Sequence, residues 1–171
     1  MLFRSAAKWA DIIVTTGGAS VGDHDLVRPA LLDAGGEIDF WKVRMRPGKP
    51  LMAGRLGQSL CLGLPGNPVS AFVTATLFLL PLVRHLTGDP APLPPARMMK
   101  LGSGLPATTV RAQYLRARID GDAVTPLNDQ DSAALFAMAH ANALIERMGD
   151  APALTAGSDV RVILWPDQGL A

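Results

Sequence analysis

Apolar and polar positions alternate in two different ways along this chain, one before residue 88 and another after residue 95. In the first part, short apolar and β-branched runs predict strands at residues 11–16, 37–45 and 59–64. Helical spacing of apolar residues occurs around them, at residues 5–9, 25–34 and 68–86. Strands that alternate with helices are typical of βαβ units, so we predict an α/β fold with a largely parallel sheet.

A proline-rich segment, GDPAPLPP at residues 88–95, separates the two patterns and disfavours both helix and central strand. We therefore predict an α/β domain over residues 1–91 and a second domain over residues 92–171, with few contacts and no shared sheet between them. The second domain has closely spaced strand candidates, which predict a small all-β barrel or sandwich. They lie at residues 98–101, 113–119, 123–126, 143–147 and 159–164, with a short helix or crossing loop at 132–140.

The chain opens at what resembles the end of a helix, with no strand before it, which is unusual for a complete α/β domain. We therefore expect that an N-terminal half of this domain is missing. Its absence would leave a strand edge and an apolar surface uncovered, and such surfaces favour self-association.

Composition narrows the range of partners. The 16 basic and 15 acidic residues leave a net charge of +1, so no global field favours nucleic acid or an anionic membrane. The single cysteine, Cys61, has no disulfide partner and is expected in a buried strand, which suits a cytoplasmic protein. Residues 68–86 are apolar, but Pro81 and several polar residues predict a buried helix rather than a membrane span.

Glycines concentrate in TGGASVGDHD, residues 16–25, between the first strand and the next helix. They permit backbone conformations in which successive amides face one anion, and Ser20 adds a hydroxyl. A phosphate at such a strand-to-helix turn gains from free amides and from the helix dipole. The alternative interpretation is a tight turn whose aspartate caps the helix.

Four cations crowd into KVRMRPGKP, residues 42–50. On an extended strand, Lys42, Arg44 and Arg46 would share one face and would repel one another unless an anion lay among them. The prolines and glycine that follow predict a rigid turn that aims Lys49. A solvated basic edge strand is the competing interpretation.

A third turn, GLPGNPVS at residues 63–70, joins a strand to a helix. Gly66 relaxes the turn, Asn67 is a good helix cap and Pro68 suits the first helical position. Each feature is ordinary helix initiation. The presence of three anion-suited turns in one α/β segment goes beyond ordinary helix initiation. Such turns favour a ligand site, because ligands of these sheets bind outside the carboxyl ends of the strands.

In their order and spacing, TTGGASVGDHD, KVRMRPGKP and GLPGNPVS resemble the catalytic domain of the MoeA and gephyrin E-domain family, the molybdopterin molybdenumtransferases. The part beyond residue 101 is similar to the family's small C-terminal β-barrel domain. The resemblance implies a partial molybdopterin-binding α/β domain followed by that barrel. Two N-terminal domains, the first half of the α/β domain and some acidic site residues of the family have no counterpart here.

The resemblance implies a role for each matching residue. Asp25 matches the active-site aspartate, as a catalytic group and as a candidate metal ligand, and Lys42 and Lys49 match catalytic lysines. Arg46 stands where a lysine usually precedes the turn, which keeps the charge but changes the geometry. The matching cofactor-binding residues are Gly17, Gly18, Ser20, Gly22, Arg46, Pro65, Gly66, Asn67, Pro68, Ser70 and, in the barrel, Arg116 and Ser132.

The implied reaction inserts molybdate into adenylylated molybdopterin and releases AMP, with Mg²⁺ assisting cleavage of the phosphoanhydride. Family members are dimers, so a homodimer is expected. Two alternatives remain open. One is a molybdopterin adenylyltransferase, although those enzymes normally lack the barrel. The other is a non-catalytic pterin-binding or scaffolding module, because a chain without the upstream residues should bind an anion at residues 17–22 yet not turn over.

Overall fold

The structure, a computed structural model, describes residues 2–18, 26–131 and 135–165, and for residues 135–137 only the backbone. Its helices are α1 (Leu2–Ala6), α2 (Val27–Asp33), α3 (Pro68–Thr74), α4 (Leu80–Leu86) and α5 (Leu135–His140), and the π-helical turn Ala75–Leu79 joins α3 to α4. Its strands are β1 (Ile12–Thr16), β2 (Glu37–Trp41), β3 (Met45–Arg46), β4 (Met52–Leu56), β5 (Ser59–Leu64), β6 (Ala96–Leu101), β7 (Ala112–Asp120), β8 (Ala123–Pro126), β9 (Ala143–Arg147) and β10 (Asp159–Leu164).

The first sheet has the strand order β1-β5-β4-β2, and its helices confirm the α/β class. The expectation of a largely parallel sheet is wrong in detail, since β1 and β5 are parallel while β4 runs antiparallel to both of its neighbours. The sequence pattern did not reveal β4. It pairs with β5 through a tight turn in which Gly57 has a φ of 60°, a conformation that glycine adopts without strain.

The segment predicted as one strand over residues 37–45 is broken after Trp41. Lys42 has a φ of 84°, in a region that residues with side chains rarely adopt, so the extended run cannot continue. The chain resumes as β3, which belongs to the second sheet. The prediction that Lys42, Arg44 and Arg46 share one strand face is therefore wrong.

The second sheet closes on itself. Strands β7, β8, β6, β10 and β9 follow one another in the sheet, and pairing of β7 with β9 completes a five-stranded barrel. Its interior is a single apolar cluster that includes Val124, Ala143, Ile145 and Val162, each 0% exposed. The predicted small all-β barrel is confirmed, and β8, β9 and β10 have the bounds expected from the sequence.

The two halves share more than the sequence suggested. Strand β3 pairs in parallel with β7, with Met45 opposite Ala112, so one strand of the first half belongs to the barrel sheet. A second apolar cluster also spans both halves, with Met45 and Val73 packed against Leu144 and Ile163. The expectation of few contacts and no shared sheet is wrong here, because α3 and β3 bury apolar side chains against the barrel.

The long apolar helix over residues 68–86 lies between these layers. Its first turns are buried, with Val69, Val73 and Thr74 each 0% exposed, and they contact both β5 and the barrel. Beyond Leu80 its outer face is exposed. Pro68–Leu86 has the length and apolar composition of a membrane span, and within the described ranges it is the single helix that does. A third of its apolar window, 33%, is buried inside the protein, and its first turns pack as a core helix does.

Candidate anion-binding cleft

A polar cleft of about 500 Å³ opens where the barrel meets the α/β half. Both halves contribute to it, which places functional groups on two walls. The α/β wall and the barrel wall comprise Met45, Arg46, Pro47, Gly48, Lys49 and Ser70 on one side and Arg111, Gln130 and Asp131 on the other. The basic PGKP turn predicted from the sequence is thus the rim of a cleft.

Packing beneath the PGKP turn holds it in place. Met45 and Leu51, on either side of the turn, are 2% and 0% exposed. Gly48 has a φ of 128° and is itself buried, and a Cβ there would lie 2.7 Å from Cγ2 of Thr74. The turn therefore fits against α3 only with glycine, and it leaves Lys49 exposed at the rim.

Helix α3 contributes Ser70 to the same cleft. Asn67 has an extended backbone, and its side-chain oxygen accepts a hydrogen bond of 3.0 Å from the Ser70 amide, as an N-cap should. Pro68 occupies the first turn, where its missing N–H has no cost. This cap fixes the start of α3, and with it Ser70, which is 6% exposed and lines the cleft.

The first and third glycine turns touch each other. The Gly17 amide donates a 3.0 Å hydrogen bond to the Leu64 carbonyl, and a Cβ at Gly66 would lie 3.1 Å from Cα of Gly17. Because β1 and β5 are parallel, both turns leave from the same end of the sheet. Gly17 and Gly66 thus lie together, but neither is among the residues that line the cleft. Ser20, Gly22 and Asp25 lie outside the described residues, as does Ser132. The expectation that Lys49, Asp25 and the Gly66 turn converge on one cleft therefore stays a prediction.

Arg111 is a basic residue of the cleft that the sequence analysis did not predict. It directly precedes β7, and the next amide, of Ala112, donates a 2.9 Å hydrogen bond to the Arg44 carbonyl. The pairing of β3 with β7 therefore fixes Arg111 opposite the PGKP turn. A basic residue just before a barrel strand was the available signal, but its partner became apparent only from the tertiary pairing.

Arg116, predicted to approach the cleft, lies beneath its wall instead. It is 1% exposed, and its Nη2 donates to the carbonyls of Asp129 and Asp131 at 3.0 and 2.9 Å. Gln130 completes the connection by bonding both the amide and the carbonyl of Arg116. Burial lowers the pKa of the guanidinium, against the opposing effect of the Asp129 and Asp131 carboxylates. Arg116 thus anchors the loop that carries Gln130 and Asp131.

The cleft has an excess of positive charge. Arg46, Lys49 and Arg111 face it with Asp131 as the carboxylate among its lining residues. Within residues 2–18, 26–131 and 135–165, none of these three cations forms an ion pair. Cations that line one cleft attract an anion, and binding of the anion offsets the repulsion between them. The arrangement therefore favours a small anion.

Two further expectations concern metal and Lys42. In the part of the chain that the structure describes, no group of three or more His, Cys, Asp or Glu side chains converges as a metal site. Lys42 does not line the cleft. Its Nζ lies 4.0 Å from the ring centroid of Trp41.

Comparison with known families follows the division seen in the fold. The family described as "Probable molybdopterin binding domain" matches residues 1–85, and "MoeA C-terminal region (domain IV)" matches residues 99–165. These matches define the class as a molybdopterin-binding α/β domain joined to the barrel of MoeA proteins. The chain belongs to the MoeA family, the molybdopterin molybdenumtransferases.

Individual relatives agree with this assignment. Molybdopterin molybdenumtransferase 2 of Mycobacterium tuberculosis is 36% identical over 160 residues, which is 90% of this chain and 40% of the relative. The Staphylococcus aureus molybdopterin molybdenumtransferase is 32% identical over 165 residues, covering 94% and 39%. The MoeA protein of Pyrococcus horikoshii, a solved structure, superposes with a TM-score of 0.76 at 27% identity, covering 95% and 39%. The chain thus spans about 40% of the length of these relatives.

Proposed function

We propose that this chain acts in molybdenum cofactor synthesis by binding molybdate in the cleft, next to a bound molybdopterin. The observation that carries the proposal is the convergence of Arg46, Lys49 and Arg111, from both halves, in one cleft without described ion pairs. The family matches support molybdopterin as the organic substrate.

The chemistry of the cleft suits a tetrahedral oxyanion. Guanidinium groups present parallel donors, while an ammonium acts as a compact point charge, so Arg111 and Lys49 can bind different oxygens of one anion. Ser70 adds a hydroxyl at the base of the same cleft. Because the PGKP turn and the α3 cap are fixed in the free protein, little ordering is needed when the anion binds.

For a protein that carries these two domains, we propose the whole reaction. This reaction transfers molybdate into adenylylated molybdopterin and releases AMP. The described residues supply anion binding. In this proposal Lys42 and Asp25 act on the adenylylated substrate, and Mg²⁺ would be held by oxygen ligands such as Asp25. A cytoplasmic location is part of the same proposal, because the single cysteine, Cys61, has no disulfide partner, which suits a reducing compartment.

Molybdate titration by calorimetry tests the anion site directly. Each charge-assisted hydrogen bond contributes about 1.5–3 kcal/mol, and about 1.4 kcal/mol is a tenfold change in Kd. Lys49→Gln and Arg111→Gln should each weaken molybdate binding about tenfold or more. Arg118→Gln removes an exposed arginine of β7 and should leave the Kd within about twofold. Equal affinity in all four proteins would contradict the proposal.

Self-association is also proposed, from the uncovered edge of the first sheet. Strand β1 is an edge strand, and an apolar groove of about 350 Å³ lies between it and α1. Leu2 and Trp9 on this side are 88% and 79% exposed. Exposed strand edges with apolar surface favour pairing with another chain. Light scattering that gives the monomer mass at millimolar concentration would refute this proposal.

A further inference from the structure

A second pair of cations lies apart from the cleft, around the indole ring of Trp41. The guanidinium carbon of Arg28 is 4.7 Å from the ring centroid, and Nζ of Lys42 is 4.0 Å from it. Both lie within the range of a cation–π contact. Trp41, Arg28 and Lys42 are absent from the lining of the Lys49–Arg111 cleft.

The backbone places Lys42 beside the ring. Lys42 leaves β2 with a φ of 84°, and its amide donates a 3.0 Å hydrogen bond to the Leu51 carbonyl. This conformation, unusual for a residue with a side chain, directs Lys42 back over the preceding ring. Trp41 itself packs against the core beneath α2, so the indole is an anchored platform for both cations.

Arg28 connects this platform to the first glycine turn. It lies in the first turn of α2 and follows Val27, whose amide donates a 3.1 Å hydrogen bond to the Gly18 carbonyl. Within the described ranges, neither Arg28 nor Lys42 forms an ion pair. Both cations lie next to the same ring, so an anion bound beside that ring would be attracted by both charges.

We infer that Arg28, Trp41 and Lys42 form a second anion site, which takes a phosphate monoester and is separate from the molybdate cleft. Phosphate is the class of ligand that a guanidinium and an ammonium bind together, and the indole supplies a flat apolar surface next to it. The identity of the ligand rests on the proposed function, in which the organic substrate carries phosphate groups while molybdate occupies the other site.

The indole N–H of Trp41 provides a local probe in a ¹⁵N-labelled sample, and Trp41→Phe identifies its resonance by removing it. Titration with AMP and with inorganic phosphate should shift this resonance, and titration with adenosine should not. Arg28→Gln and Lys42→Gln should each raise the Kd for AMP at least tenfold. The charge-matched controls Arg118→Gln and Arg111→Gln should leave it within twofold. An unchanged Trp165 indole resonance shows that each variant is folded.

Three results would overturn the second site: no response of Trp41 to AMP, an unchanged Kd in Arg28→Gln, or an equal loss in Arg111→Gln, which would assign the response to the cleft. A shift by adenosine as large as that by AMP would overturn the phosphate assignment. The molybdate titration separates the two proposals. If Lys49→Gln loses molybdate binding but the Trp41 resonance does not respond to AMP, the second site alone is refuted. If Lys49→Gln binds molybdate normally and the Trp41 resonance responds to AMP, the cleft alone is refuted.

Discussion

Gly48 lies so close to Thr74 that a single added Cβ would come within 2.7 Å of Cγ2 of Thr74. The contact joins the PGKP turn to the helix that carries Ser70. Cε of Met45 would also be 2.9 Å away, but the end of a methionine can move, whereas a buried β-branched side chain has few alternative rotamers.

Gly48→Ala should therefore destabilise the protein by about 2 kcal/mol, the usual scale of overpacking, and weaken molybdate binding. Gly35→Ala is the matched control, since Gly35 also has a positive φ, 92°, but no atom within 4 Å of the added Cβ. Thr74→Ser removes Cγ2 and keeps the hydroxyl that donates to the Ser70 carbonyl. Combined with Gly48→Ala, it should restore part of the stability in urea unfolding. No rescue would show that the Thr74 contact is not the cause.

Replacement of Arg116 tests the anchor beneath the barrel wall. Arg116→Met removes the donor to the Asp129 and Asp131 carbonyls and should cost about 2–4 kcal/mol in unfolding free energy. Arg118→Met, two residues along the same strand but exposed, should change it by less than about 0.5 kcal/mol. Similar midpoints for the two variants in urea would contradict the anchoring role.

The Tyr114–Glu146 pair predicts an alkaline loss of stability. The Tyr114 hydroxyl donates to Oε1 of Glu146 at 3.1 Å, and burial, followed by the Glu146 charge, raises the pKa of Tyr114 from 10.0 to about 12. Between these values the unfolded tyrosine ionises while the folded one does not, so the free energy of unfolding falls as pH rises. Tyr114→Phe should lack this part of the fall in urea unfolding at pH 9 and pH 11. An identical pH dependence in both proteins would argue against the raised pKa.

Trp165 tests the joint between the two halves. Its ring lies 4.8 Å from that of Phe72 on α3, so the end of β10 packs against the helix that supplies Ser70. Trp165→Ala should destabilise by about 3 kcal/mol and also weaken molybdate binding, because the two walls would no longer be held together. Trp9→Ala, at a site 79% exposed, should leave molybdate affinity unchanged. If the Trp165→Ala protein binds molybdate with unchanged affinity, the packing of Trp165 on Phe72 is not needed for the cleft.

The sequence alone predicts those helices and strands whose formation depends on residues nearby in the sequence. The barrel strands β8, β9 and β10 alternate clearly and are bounded by turn residues, and α3 begins at the Asn67–Pro68 cap that the sequence predicts. The glycine turns were recognisable because the residues that permit them are few.

Other features were set by contacts between distant parts of the chain. The positive φ of Lys42 ends β2, although the local sequence pattern predicts that the strand continues. The following strand, β3, pairs with β7 of the barrel and not with the first sheet. Arg111 and Arg116 illustrate the same limit. Both are basic residues near the barrel, and only the register of β3 on β7 places Arg111 in the cleft, while Arg116 points inward to a loop.

Because Met45–Arg46 pairs with β7, the barrel is not a structurally independent domain. A gene fusion or domain swap cut at the proline-rich segment would transfer the closed strands but leave behind the short piece that fixes Arg111 against the PGKP turn. A recombinant protein that keeps the cleft must therefore receive the segment from β3 to β10 as one block. Otherwise β3 and β7 would come from different parents and their pairing would not be preserved.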